Sequence, residues 1–529
     1  MRSSRQNGSG SPSSRTAGKL AFSCTRCFIV AFLAAASPVL SGCAVGPDFM
    51  PPAPPDTVKY LSDRAGDRVP GHSIVRAGEV PPQWWELFRS PALNRLVEHG
   101  IVHNADLAAA EAAVRVAQAN ALAQRGALFP SVMGNFESSR QQVPVDLQSP
   151  LESNAHLLSL HTGQVTVSYL ADVWGGTRRL VESANSQARM RAFQREGVYL
   201  TLASNIALAA IEEGRLRGHI AATRRVLGLQ GEVLRLLRRQ QEQGQIAQTD
   251  VAAQETAVAQ TRLLLPDLEK KLAQQRHLLS FLTGRLPSDD PKETFDLGSF
   301  RMPRRLPLTL PADLVRQRPD IQAAEADFQS DNAKIGVAIA NRLPQITLTA
   351  SSGAASAQFA QLATPGAWLG IVAGSAAQTI FDAGTLENRQ RAAEAEADQS
   401  LAQYRSVVLA AFQNVADVLR ALQAGTRAIS AATGAERSAT ESITLVRKQV
   451  DQGQISVPLL LAAQEAYLET SLARLDAQAA QLANTVALFQ ALGGGWWNRD
   501  DRKQAAIKVV PKVKEAGLAL RGRLGFATA

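Results

Sequence analysis

Thirteen residues near the middle of this chain occur twice. Residues 234–246 read LRLLRRQQEQGQI and residues 443–455 read ITLVRKQVDQGQI, identical at seven positions. Four further positions keep their chemistry: Leu234/Ile443, Leu237/Val446, Arg239/Lys448 and Glu242/Asp451. Each copy is an apolar-periodic stretch with basic residues near its end, followed by Gly244 or Gly453. Cations suit a helix C-terminus because they face its exposed carbonyls, and glycine supplies the left-handed turn that ends it. Each copy therefore predicts the tip of a helical hairpin. The flanks repeat as well: Asp172-Val173-Trp174-Gly175 returns as Asp382-Ala383-Gly384, and Phe281-Leu282-Thr283-Gly284 as Ala491-Leu492-Gly493-Gly494. A period of about 210 residues marks a duplicated domain half, since solenoid repeats run to roughly 20–50 residues.

Proline sets the helix lengths. None occurs between Pro150 and Pro266, or between Pro365 and Pro458. A helix from Thr177 to the Gly244 tip would hold roughly 65 residues and measure about 100 Å. Val226/Val233 and Leu227/Leu234 repeat at seven, with Leu237 adding a contact one turn on, as coiled-coil packing requires. The return helix, 249–282, is half as long, and a kink is expected at Pro266. Ser90-Pro91 fits N-cap and N1 of a helix running to Leu128, which would stack end to end with the return helix. The second half repeats the plan: a helix opening at Arg318-Pro319-Asp320, a long helix to Gly453, and a return helix ending at Leu492.

Between these helices lie four strand candidates: one around Val132, Gly134 and Phe136, then 164–169, 346–350 and 368–381. The first two alternate and form a hairpin with one apolar face. Four strands cannot close, and an open sheet with an apolar face cannot sit in lipid with unpaired edges. Membrane barrels start at about eight strands, so closure needs more than one chain; three chains give twelve strands in a cyclic ring. The expected fold is mainly α with a small β part. Each duplicated half carries a long helical hairpin and two strands. The trimer joins an α-barrel to a 12-stranded transmembrane β-barrel.

The net charge of +9 comes from the ends of the chain. Arg2, Arg5, Arg15, Lys19 and Arg26 precede Cys43 with no acid among them, and residues 499–529 hold eight basic and three acidic residues. The body between is nearly neutral, so charge makes no case for nucleic acid. Residues 1–42 pair a basic stretch with an apolar run too short for a stable membrane span. They end in Leu40-Ser41-Gly42-Cys43, which resembles the bacterial lipoprotein cleavage box. That resemblance implies acylation of Cys43, and Ala44 in place of aspartate favours the outer membrane. Cys24 and Cys27 lie inside the leader, so cleavage would leave Cys43 alone and no intrachain disulfide. The expected domains are a signal peptide (1–42), a lipid-anchored proline-rich tether (43–83), the first repeat (84–283), a connector (284–310), the second repeat (311–497) and a basic tail (498–529).

The motifs WWELF with SPAL following, LFP, YLADVWG, the two QGQI tips, LTGRLP, RQRPDIQAAEADF, RLPQITL and QTIFDAG fall in one order along the chain. In that order the chain resembles the TolC-type outer-membrane efflux channel family, in its lipoprotein branch of OprM-like or NodT-like partners of RND pumps. The resemblance covers about residues 40–497. It implies a homotrimer in outer-membrane lipid, working as a passive duct for small molecules. A periplasmic adaptor and an inner-membrane RND transporter would deliver substrate to the tips. Two other readings use similar parts: a type I protein-secretion duct, and a structural trimeric lipoprotein that only spans the envelope.

Family members often carry aspartate just after the second tip, and this chain has Val457-Pro458-Leu459-Leu460-Leu461-Ala462 there. The first hairpin places Asp250 at the position equivalent to Leu459. The expected periplasmic gate therefore comprises Gly244, Asp250, Gly453, Leu459, Leu460 and Ala462, with leucines sealing the second ring. His99 and His103 have metal-pair spacing but no recognisable third ligand, and a surface helix explains them. Trp496-Trp497 is expected to pack inside the helical body. No nucleophile–base constellation, P-loop or metal cluster is found, so neither an enzyme nor a cofactor is expected.

Overall fold

The computed structural model describes residues 44–57, 59–61, 68–71, 73–76, 79–146, 151, 155–309, 311–452 and 457–499. The leader, Cys43, Gly453 and the tail beyond Arg499 lie outside them. The described elements are, in order, β1 (Ser73–Arg76), α1 (Pro91–His103), α2 (Ala105–Gly126), β2 (Ser131–Gln142), β3 (Leu157–Ala171), α3 (Gly176–Glu242), α4 (Gln248–Leu282), β4 (Arg305–Leu308), α5 (Pro311–Gln317), α6 (Pro319–Ala340), β5 (Gln345–Ser356), β6 (Trp368–Ala377), α7 (Thr385–Asp451) and α8 (Val457–Ala491). They form two compact units. Of the described residues, one comprises 44–49, Asn120–Ala184 and Ser330–Ala397, and the other Met50–Ala119, Asn185–Gln329 and 398–499.

The first unit is built on a four-stranded antiparallel sheet in the order β2-β3-β5-β6. Each half of the chain supplies one hairpin, and β3 against β5 joins them, with Tyr169 opposite Leu348. Two aspartates start the long helices. Asp172 accepts from the backbone N–H groups of Thr177 at 2.9 Å and Arg178 at 3.0 Å. Asp382 accepts from those of Gly384 at 2.9 Å and Leu386 at 2.8 Å. These carboxylates satisfy orphan donors and sit at the positive end of each helix. The start of the described chain lies against this unit: Val45 N–H donates to the Trp174 carbonyl at 3.0 Å, and Arg179 reaches Asp48 at 2.7 Å. Gly46 and Gly336 make this approach possible, because a Cβ on Gly46 would meet the Gly336 Cα at 2.5 Å.

The second unit is helical. The duplication is now visible in lengths: α3 and α7 each have 67 residues, α4 and α8 each have 35. The core gathers Trp84, Trp85 and Phe88 from a 3₁₀ turn with Leu93, Ile206, Leu279 and Phe489. Trp84 stacks on Phe489 with centroids 5.3 Å apart. Trp496 is buried, and its Nε1 donates to the Gln317 carbonyl at 2.7 Å.

Two expectations are corrected. The helix expected over 91–128 is two helices, broken at Asn104, whose Oδ1 accepts from the Leu107 N–H while Nδ2 donates to the Leu282 carbonyl. An Asn that serves as C-cap of one helix and N-cap of the next explains the break. Pro266 lies inside α4, which continues on both sides of it to Leu282. The proline-rich stretch expected as a tether is packed: Val69 and Val80 are buried, and β1 pairs in parallel with β4. Tyr60 Oη donates to the Thr309 carbonyl at 3.0 Å, and Gln423 Nε2 to the Arg68 carbonyl at 2.8 Å.

Candidate functional sites at the sheet and the hairpin tips

Alternation along paired strands puts every second side chain on one face of the sheet. Following the register across all four strands gathers Val132 and Phe136, Val165 and Val167, Ile346 and Leu348, and Trp368 and Val372 on one face. The other face carries Asn135, Gln164, Thr166, Thr347, Thr349 and Ser351. The apolar face is open: Val372 is 90% exposed, and Val132, Phe136 and Trp368 are exposed as well. The strands hold 12, 15, 12 and 10 residues, enough for a tilted crossing of a bilayer core. A sheet with one lipid-compatible face, one wettable face and, among the described residues, no further strand on β2 or β6 has the make-up of a barrel-wall segment. No helix among the described residues is long and apolar enough to cross a membrane. The alternation was legible locally; which alternate residues share a face across all four strands needed the register.

At the first tip, Gly244 adopts φ +70. Its N–H donates to the Gln241 carbonyl and that of Gln245 to the Gln240 carbonyl, both at 2.8 Å. This is the glycine-terminated helix end that the repeat predicts. Asp250 lies half-buried in the first turn of α4. The second tip differs in its leucines. Leu459 is 48% exposed and Ala462 is exposed, whereas Leu460 is 1% exposed. Leu460 packs with Val233 and Leu237 of α3, Val251 of α4, and Ile443, Val446 and Val450 of α7. The expectation that Leu460 lines a seal is therefore corrected: its side chain belongs to the core between the two hairpins, and Leu459 is the outward leucine. Gly453 and Cys43 lie outside the described residues.

Polar groups join the hairpins above this core. Gln254 is fully buried; its Nε2 donates to the Gln230 carbonyl at 3.2 Å and approaches Gln464 Oε1 at 3.4 Å. Arg447 of α7 pairs with Glu232 of α3 across the hairpins, and Arg238 with Glu255 within the first hairpin, each at 2.6 Å. Nearer the middle of the unit, His219 Nε2 lies 2.8 Å from Asp476, which also accepts from Arg215 at 2.9 Å. Burial, then the Arg215 charge, holds the His219 imidazole below its ordinary value, against opposing pulls from Asp476 and Glu212. The glutamine layer and the His219–Asp476 contact were missed in the sequence. Their only local signal is a polar residue interrupting an apolar stripe.

His99 and His103 stack with ring centroids 4.1 Å apart, and His103 Nδ1 contacts the His99 carbonyl at 2.9 Å. Among the described residues no group of three or more His, Cys, Asp or Glu could hold a metal ion.

The family model for outer membrane efflux proteins matches residues 96–285 and 310–494. The pyoverdine export outer membrane protein OpmQ of Pseudomonas putida is 30% identical over 449 residues, spanning 84% of this chain and 94% of that protein. The solvent efflux pump outer membrane protein SrpC of Pseudomonas putida is 30% identical over 460 residues, spanning 87% and 96%. Among solved structures, the outer-membrane channel OprN superposes with a TM-score of 0.78 at 25% identity, covering 86% of this chain and all of that one. The Campylobacter jejuni CmeC outer membrane channel superposes with a TM-score of 0.81 over 88% and 98%; at 19% identity it speaks to the fold alone.

Proposed function

The chain belongs to the outer membrane efflux protein family, and from that premise we propose a homotrimer whose three sheets close one twelve-stranded barrel. It is an outer-membrane channel of an efflux system. The observation that carries the trimer is the sheet itself: four strands, one apolar face, and free edges on β2 and β6. Pairing β6 of one copy with β2 of the next satisfies both edges and turns Val372 and Phe136 toward lipid, with Gln164 and Thr349 toward a wet lumen. The paired hairpins would continue this wall as a helical tube in the periplasm.

In this reading the chain is a passive duct with no chemistry of its own. A periplasmic adaptor would meet the hairpin tips, and an inner-membrane RND transporter would supply the work. Cys43 would carry the lipid anchor. Relatives named for pyoverdine export and solvent efflux support small organic molecules as cargo.

The test is the mass and symmetry of the full chain extracted from outer membranes. Native mass spectrometry should give three acylated chains, and electron microscopy threefold views; a single-chain mass would overturn the proposal. Expression in a strain lacking its own channel should restore resistance to small antibiotics.

A further inference from the structure

We propose that four arginines beside the 3₁₀ turn Trp84–Phe88 bind a carboxylate-rich polymer of the cell wall. Arg89, Arg301, Arg304 and Arg305 line one cavity of about 810 Å³, in which Glu86 is the single acid among the described residues. Among the described residues, none of the four makes an ion pair. Some other arginines of this unit are matched, Arg276 with Glu213 and Asp290 and Arg215 with Glu212 and Asp476; what sets these four apart is that they share one cavity. Four exposed guanidiniums around one concavity concentrate positive charge that an anion complements.

The backbone holds them there. The Arg301 N–H donates to the Phe88 carbonyl at 2.8 Å. The Arg304 carbonyl accepts from the Ser73 N–H at 2.9 Å, and Arg305 is paired with Ser73 in the β1–β4 ladder. Arg89 adopts φ +52, a left-handed conformation shared among described non-glycine residues only with Ala383. Such strain persists where surroundings over-determine it, and it clusters at ligand clamps. The four side chains are thus presented from two pinned segments, so little backbone order is lost on binding.

The cavity indicates the class of ligand. It is far larger than an inorganic anion and falls within the range of sites for sizeable molecules. Guanidinium forks match carboxylates with two parallel hydrogen bonds. Leu87, Met302 and Pro303 add apolar surface between the charges, suited to the sugar and aliphatic parts of a glycopeptide. The inference rests on the outer-membrane reading, which leaves the helical unit in the compartment where the carboxylated wall polymer lies. The site belongs to that unit and not to the sheet, which disfavours a lipid headgroup as occupant.

The test uses the assembled full-length channel in detergent with purified wall sacculi. Wild-type protein should sediment with sacculi, less so as salt rises, and poly-glutamate should displace it where uncharged dextran does not. Arg301→Gln/Arg304→Gln/Arg305→Gln should weaken binding by about tenfold or more, whereas Arg235→Gln/Arg405→Gln/Arg437→Gln should not. If the triple variant fails to assemble, Arg304→Gln alone should give a smaller loss, and the poly-glutamate competition needs no variant. Equal binding by both triple variants, failure of wild type to sediment, or arginine-dependent capture by phosphatidylglycerol vesicles instead of sacculi would overturn the inference. Trimer mass and restored antibiotic resistance are read separately, so a channel that conducts without binding sacculi refutes only this step.

Discussion

Arg318 donates from Nη1 to the carbonyl oxygen of Ala491 at 3.0 Å, so the residue that opens α6 also closes the end of α8. The first half does the same with different chemistry: Asn104, at the α1–α2 break, donates to the carbonyl of Leu282, the last residue of α4, at 3.1 Å. The duplication has kept the contact while changing the residue. In both halves a short helix stacked on a return helix supplies a partner for a carbonyl that the helix end leaves orphaned.

Removing that partner should be costly. Arg318 is nearly buried and also bonds Asp320. Arg318→Met should lower stability by about 1–3 kcal/mol, because it strands the Ala491 carbonyl. Asn104→Ala should cost about 1–2 kcal/mol. Helix melting by circular dichroism in detergent checks both; unchanged melting for Arg318→Met would show the carbonyl is satisfied otherwise.

The two tip leucines should separate. Leu460→Ala empties core between the hairpins and should destabilise the tip by about 2–5 kcal/mol, read as faster amide exchange in residues 229–251 and 440–464. Leu459→Ser changes an exposed side chain and should leave exchange alone while raising basal conductance in planar bilayers, if three copies face one another. Asp250→Asn should reduce cation preference, an effect that fades as salt screens the ring. Normal currents from both channel variants would place the gate elsewhere.

The sheet faces predict opposite responses to one charge. Val372→Lys on the apolar face should cost about 2–4 kcal/mol if it lies near the bilayer midplane. Thr349→Lys on the polar face should insert normally and shift selectivity toward anions. Trimer yield and reversal potential distinguish them.

His219 should make the helical unit acid-sensitive. Its folded pKa lies below the ordinary value of 6.5, so between the two values the unfolded chain binds more protons and stability rises with pH. The stabilising effect of the neutral ring is therefore complete above about 6.5 and lost as pH falls through the folded value. The groups around it are Arg215 and Glu212 of α3 and Asp476 of α8. His219→Gln should flatten the melting temperature between about pH 7.5 and 5; an unchanged slope would assign the acid sensitivity to another group.

Anchoring is tested at Cys43. Intact-mass analysis should find the mature chain acylated, and Cys43→Ser should lose the lipid while the barrel still inserts. An unmodified Cys43 in wild-type membranes would end the lipoprotein reading.

What the chain determines by itself is local and periodic. Two proline-free spans set two helices of 67 residues, Gly244 ends one of them in a left-handed turn, and alternation around Val132 and Val165 marks a hairpin. These features depend on neighbours within a few residues, so a linear reading reaches them. The tertiary structure decided the rest. Leu459 and Leu460 are adjacent and chemically identical, and only the packing of four helices makes one exposed and the other core. Asn104 could have been one more polar residue in a continuous helix, until the Leu282 carbonyl, 178 residues away, supplied its partner. The proline-rich segment reads as a tether because it lacks periodicity. It is held instead by β4, Thr309 and Gln423, donors and acceptors far along the chain. Side-chain orientation at such positions is set by which distant groups need a partner, and no local pattern encodes that need.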